Sequence, residues 1–165
     1  AVARNVLAST RGMKSDYYRE TLLLGVLRAQ LDDDMLLSVI ASASGMSSDY
    51  YRATALDSIA GHQSLAARRV YSALLRSADG ITGSYGHASV LETILRRNDL
   101  TADLAAATIG DVATLTSDSD KGRLLDLVAG TSLMKDAAVR DAFLRTAKTI
   151  NSAGAYRRVV ERATP

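Results

Sequence analysis

Few residues in this sequence have the type and spacing that chemistry needs. His62 and His87 are its two histidines, and it has no cysteine. That removes disulfides, thiolate metal sites and a cysteine nucleophile, and leaves little for a histidine-based metal or triad site. A catalytic histidine needs a nucleophile and an orienting carboxylate, and no such set accompanies either one. Asp32-Asp33-Asp34 and Asp118-Ser119-Asp120-Lys121-Gly122 each contain part of a calcium-loop pattern. The full loop needs alternating oxygens, a central Gly and a distant Glu, and neither stretch supplies them. Both fit the start of a helix better, where carboxylates cap free N–H groups and meet the positive end of the dipole. Gly80, Gly83 and Gly86 lack the strand before and the Lys after that a phosphate loop requires. The sequence therefore predicts no catalytic residue, no metal ligand and no cofactor, and a chain that is not an enzyme.

The tyrosines and arginines remain, and they recur. Met13-Lys14-Ser15-Asp16-Tyr17-Tyr18-Arg19 returns as Met46-Ser47-Ser48-Asp49-Tyr50-Tyr51-Arg52. Looser copies are Ile81-Thr82-Gly83-Ser84-Tyr85-Gly86-His87, Leu115-Thr116-Ser117-Asp118-Ser119-Asp120-Lys121 and Ile150-Asn151-Ser152-Ala153-Gly154-Ala155-Tyr156. The starts lie 33, 35, 34 and 35 residues apart. A fixed period in this range marks an array of small structural units. The third copy departs at Gly83 and Gly86, the fourth lacks Tyr, and the fifth lacks both Asp and Tyr at the motif positions.

Apolar residues keep the same phase. Leu22, Ala55, Val90, Leu124 and Val159 hold one repeat position; Leu23, Leu56, Leu91, Leu125 and Val160 the next; Val26, Ile59, Ile94, Val128 and Ala163 a third. Their offsets of three and four residues describe one face of a helix. Each repeat reads as two helices. The first helices are predicted over 15–29, 48–60, 84–97, 117–129 and 152–163, with Ser15, Ser48, Ser117 and Ser152 as caps. The second are predicted over 33–44, 64–78, 102–114 and 132–148, with Asp32, Ser64, Thr101 and Thr131 as caps. Residues 2–11 read as the second helix of a preceding repeat. One helix pair cannot bury its apolar face alone, so the pairs must stack.

Bulk properties agree. The 165 residues suffice for one domain, with 47% hydrophobic and 23% charged residues and a single proline. No stretch is long and apolar enough for a membrane helix, and no signal peptide is seen. This reads as a soluble chain, periplasmic or cytoplasmic. It begins without Met, which predicts a processed protein or a piece of a longer one. The net charge is +2, with 16 Arg against four Lys, and the excess is spread along the chain rather than gathered in an arm.

The period and helix pairing resemble the HEAT, armadillo and TPR group of α-solenoids. TPR repeats need a Trp and a closing Pro, whereas this chain has no Trp and its one Pro is the last residue. The Ser-Asp-Tyr motif with a basic residue and a Leu-Leu pair resembles short helical repeats of bacterial proteins of largely unassigned function. The resemblance covers residues 13–164. It implies an all-α, right-handed α-α superhelix, a HEAT-like solenoid of about four helix pairs with terminal half-repeats. The expected domain is a single repeat domain over 1–165. In such solenoids the second helices line the concave surface that binds partners.

On that basis the contact candidates are Arg68, Arg69, Tyr71, Ser72 and Arg76 on one second helix, and Arg140 and Arg145 on another. Arg and Tyr are favoured where interfaces concentrate their energy. Tyr17, Tyr50 and Tyr85 hold one repeat position and are expected to pack against the neighbouring repeat. Tyr18 and Tyr51 occupy the next position and are expected to be exposed, hence candidates for contact. Arg19, Arg52, His87 and Lys121 align as a solvated basic position. The expected role is a non-catalytic scaffold for a protein or peptide partner. The alternatives are nucleic-acid binding along a basic inner groove and a spacer without a ligand. The oligomeric state is not legible.

Overall fold

A computed structural model describes residues 2–10 and 12–163. Arg11, which the sequence reading places in the first helix, and Thr164, at the end of the last repeat, lie outside them. The described residues form ten α-helices and no strand. They are α1 (Val2–Thr10), α2 (Asp16–Val26), α3 (Asp33–Ser44), α4 (Asp49–His62), α5 (Arg68–Asp79), α6 (Ser84–Leu95), α7 (Ala102–Val112), α8 (Asp118–Asp126), α9 (Ala137–Ala147) and α10 (Ala153–Ala163). Among the described residues no helix is long and apolar enough to cross a membrane.

The chain divides into two compact units, 1–90 and 91–165, and the division falls within α6. In the first unit each helix packs on its sequence neighbour, and also α1 on α3, α3 on α5 and α2 on α4. In the second unit α7 packs on α9 and α8 on α10. Helices of the same class therefore stack on one another within each unit, an order compatible with a helical repeat. The phased apolar positions form the cores: Leu23, Ala55, Leu56 and Ile59 in the first unit and Leu91, Ile94, Leu124 and Leu125 in the second are buried. Leu22 and Val160 are half-buried at the two ends of their ladders.

Four helix boundaries differ from the sequence reading by three residues or more; one is the end of α8, at Asp126 rather than near 129. α2 stops at Val26, because Gln63 pulls the following connector aside. Its buried amide donates to the Leu27 and Ala29 carbonyls, both at 2.9 Å, and accepts from Leu31 N at 3.0 Å. The same anchoring holds Gln63 in an extended conformation. α5 then begins at Arg68 rather than at Ser64, with Ala67 as its N-cap residue. α9 begins at Ala137, since Asp136 is extended and its carboxylate takes the N–H groups of Ala138 and Val139 at 2.8 and 3.2 Å. Asp136 thus outcompetes Thr131, and Ser132–Lys135 are left as a single 3-10 turn. Before that turn, Gly130 adopts φ +78, a left-handed conformation that favours glycine.

Candidate functional site

The motif that announces the repeat turns out to fasten it. Asp16 Oδ2 accepts from Ser47 N, Ser47 Oγ and Ser48 N, all at 2.8 Å. Asp49 Oδ2 accepts from Thr82 N at 3.0 Å, Gly83 N at 3.1 Å and the Thr82 hydroxyl. Asp118 Oδ2 accepts from Asn151 N at 3.0 Å and Ser152 N at 2.8 Å. Each motif Asp therefore satisfies the exposed N–H groups at the start of the next repeat's first helix. Sequence reasoning credited these carboxylates only to their own helix dipole. The Asp49 carboxyl lies below its usual range, chiefly through the Thr82 hydroxyl, against the opposing effect of partial burial. For Asp16 partial burial works upward, but the hydrogen bonds from Ser48 and Ser47 together outweigh it.

The basic motif position is equally structural, and the expectation that it is solvated is corrected. Arg19 donates to the Gly45 carbonyl at 2.9 Å and to the Met13 carbonyl. Arg52 donates to the Gly80 and Met46 carbonyls, both at 2.6 Å. Lys121 is buried and donates to the Thr149 carbonyl at 3.1 Å. Each cation thus meets carbonyls at the C-terminal end of a second helix, where the dipole is negative. His87, at the same position of the third copy, is buried too.

The candidate contact residues scatter across these roles. Tyr71 is buried, on the same side of α5 as Leu74, Leu75 and Ala78, so its ring belongs to the core rather than to a contact face. Arg69 is exposed but engaged across the α3–α5 contact, at 2.8 Å from Asp34 and 3.3 Å from Asp33. Those hydrogen bonds hold its proton more firmly than usual. Ser72 is half-buried, and Arg68 and Arg76 are exposed. In the second unit Arg140 donates to the carbonyls of Met134 and Lys135, at 3.0 and 2.6 Å, closing the 3-10 turn, while Arg145 is exposed.

The tyrosines are arranged otherwise than expected. Tyr17, Tyr50 and Tyr85 are not buried between repeats; they stand 53%, 73% and 87% exposed, although Tyr17 does meet a ring of the next repeat. Tyr18 is exposed as anticipated, but Tyr51 is half-buried. Tyr51 meets Tyr17 edge-on at 6.1 Å and Tyr50 at 5.3 Å, and Tyr17 meets Tyr18 at 5.2 Å. Four rings from α2 and α4 thus form one aromatic ridge on the first helices.

The second helices of the first unit carry concave space. A groove of about 850 Å³ lies along α1 and α3, lined by Arg4, Leu7, Met35, Leu37, Ser38 and Ala41 among others. A second of about 380 Å³ lies between α3 and α5, with Leu37, Ile40, Ala41, Ala73 and Arg76 in its wall. Leu37 and Ala41 belong to both, so the two adjoin. Hydroxyl pairs tie the flanking helices: Thr10 to Ser42 at 2.9 Å and Ser44 to Ser77 at 2.6 Å.

Comparison with family models, curated proteins and solved structures gives no match.

Of the groove residues, the sequence reading had named only Arg76 as a contact candidate. Leu37 and Ala41 were unmarked, because an apolar residue half or fully exposed on a helix reads as ordinary surface. Nor do titratable groups point to chemistry in the grooves. Glu20 is buried and its carboxyl is pushed up by desolvation, but it lines neither groove.

Proposed function

We propose that this chain is a non-catalytic repeat scaffold that binds a peptide segment of another protein along the second-helix face of residues 1–90. We read the helix pairs as a HEAT-like right-handed solenoid, a reading supported by the stacking of same-class helices and the 33–35 residue period. The observation that carries the function is the pair of adjoining grooves over α1, α3 and α5. Their walls are apolar along Leu7, Met35, Leu37, Ile40 and Ala73, with the exposed guanidinium groups of Arg4 and Arg76 at their edges. That arrangement suits an amphipathic segment whose apolar side chains enter the grooves and whose acidic side chains meet the arginines. The motif cations Arg19 and Arg52 also border the grooves, but the two terminal nitrogens of each guanidinium donate to backbone carbonyls.

The test is selection of peptides from a random displayed library on the immobilised chain, followed by affinities for two variants. Arg76→Glu reverses an edge charge, and Ala41→Trp fills the space common to both grooves. Each is expected to weaken the selected peptide by about 10-fold or more, as for a truncated hot spot. Peptides that bind both variants as tightly as wild type overturn the groove assignment. Retention of nucleic acid that falls steeply with salt moves the function to the nucleic-acid alternative. A library that yields no binder supports the spacer.

A further inference from the structure

The two grooves share a wall, and that wall sets a spacing. Leu37 and Ala41, one turn apart on α3, line both. They make α3 a ridge, with one groove toward α1 and the other toward α5. Leu37 is half-buried, whereas Ala41 is exposed and carries only a methyl group, so the ridge is lowest at Ala41. Ala8 on α1 and Arg76 on α5 hold the same repeat position as Ala41, each five residues before a motif copy begins. A lane therefore crosses the three helices at Ala8, Ala41 and Arg76 rather than following one of them. Axes of packed helices lie about 8–10 Å apart, which sets the distance between the two groove floors.

Backbone forms differ in how they match that interval. A β-strand returns a side chain to the same side after two residues, about 6.7 Å, which falls short of the second groove. An α-helix returns after seven residues, about 10.5 Å, but its side chains three and four residues on also point down and strike the ridge. A polyproline II segment rises about 3.1 Å per residue with three residues per turn, so its side chains repeat on one side about every 9 Å. The two residues between them turn away from the ridge.

Charge marks the ends. Arg4, Arg19, Arg52 and Arg76 border the grooves, against one carboxylate among the described lining residues, Asp34, which Arg69 holds at 2.8 Å. The terminal nitrogens of Arg19 and Arg52 are occupied by backbone carbonyls. The exposed guanidinium groups of Arg4, on α1, and Arg76, on α5, are left at the two outer sides. Each helix axis lies half a spacing beyond its groove floor, or about two residues of polyproline II.

We infer that the partner segment is a polyproline II stretch crossing α1, α3 and α5, with two aliphatic side chains three residues apart, one per groove, and an acidic residue two positions outside each. This rests on the groove reading above and specifies its occupant.

The test is an amide-shift titration of the ¹⁵N-labelled chain with N-acetyl-Glu-Pro-Leu-Pro-Pro-Leu-Pro-Glu-amide. Its comparators are isomers with the leucines two or four apart, a version with Lys for both Glu, and a lactam-bridged helical peptide with leucines seven apart and the same Glu ends. Saturable shifts at Leu7, Leu37, Ala41 and Ala73 are expected with the first peptide. The isomers and the helical peptide are expected to bind about 10-fold more weakly, since each seats only one anchor well. The Lys version is expected to lose about 2- to 5-fold per end, the scale of an exposed ion pair. Arg76→Glu is expected to weaken the Glu peptide and strengthen the Lys version, and its amide spectrum checks its fold. Absence of shifts at these amides with about 10 mM of the first peptide, where a millimolar site is nearly full, overturns the inference. So does equal or tighter binding of either isomer or of the helical peptide, or a Glu preference that Arg76→Glu leaves unchanged. In each of those cases a library-selected peptide that moves the groove amides keeps the groove reading standing without this occupant, and grooves silent to both kinds of peptide overturn the two together.

Discussion

Replacing Leu56 with Ala is expected to lower the unfolding free energy by about 2–5 kcal/mol, and Leu91→Ala by a similar amount. Both residues are fully buried, each in its own unit. They hold the same repeat position, with Leu23 and Leu125 as their equivalents, and those are fully buried too. The loss combines the transfer free energy of the deleted carbons with the cavity that stacked helices cannot close. α4 makes that cavity expensive, because it packs on α2, α3 and α5 at once. Urea unfolding followed by circular dichroism measures it. Leu144→Ala is the control: that side chain is 47% exposed, and its loss is expected to stay near 0.5 kcal/mol. Losses below about 1 kcal/mol at both Leu56 and Leu91 would contradict the repeat register.

The second large effect belongs to Asp49. Asp49→Ala leaves Thr82 N, Gly83 N and the Thr82 hydroxyl without the acceptor that joins them to α4. Hydrogen bonds to a charged group contribute about 1.5–3 kcal/mol, and partial exposure of the site places the expected loss at about 2–3 kcal/mol. Asp49→Asn keeps an acceptor oxygen and loses the charge, so about half of that loss is expected. A variant as stable as wild type would mean that water replaces the clasp without cost. The pH dependence has a definite sign. Asp16 and Asp49 both have carboxyl pKa values lowered on folding. Their contribution is fully present above the ordinary carboxylate range, near pH 4, and is lost as pH falls through the lower folded values. Wild type should therefore lose stability on acidification below about pH 4, and Asp49→Asn should lose less over the same interval.

How much of this was legible in the sequence depends on the range of the interaction. Helix number, pairing and core positions follow from local periodicity, and Leu56, Ile59, Leu124 and Leu125 are buried where their phase puts them. The boundaries near Val26, Arg68 and Ala137 were misplaced where a side chain competes from outside the helix, as Gln63 does, or where two caps compete, as Thr131 and Asp136 do. The motif itself was visible, but its work was not. Asp16 and Asp49 look like helix-start residues, and the loops they hold lie about one period away in sequence. A clue was the period itself, since a residue kept at every junction suits a contact between repeats as well as a cap within one. Tyr17, Tyr50 and Tyr85 were expected to pack against the neighbouring repeat because they recur, whereas all three stand largely exposed. Gly86 was visible only as a departure from the motif; the reason for it is a close helix approach, since a Cβ there would lie 3.1 Å from Ala53 Cβ and 3.2 Å from Ile81 Cγ2.

The most direct measurement of the binding role is an amide-shift map of the chain with a peptide selected on it, read residue by residue. Recognition by the second helices is expected to move Leu37, Ala41, Ser44, Ala73 and Arg76, and to leave Tyr18 and the ridge around it unmoved. Shifts confined to the first helices, with the α1–α3–α5 grooves silent, would contradict it.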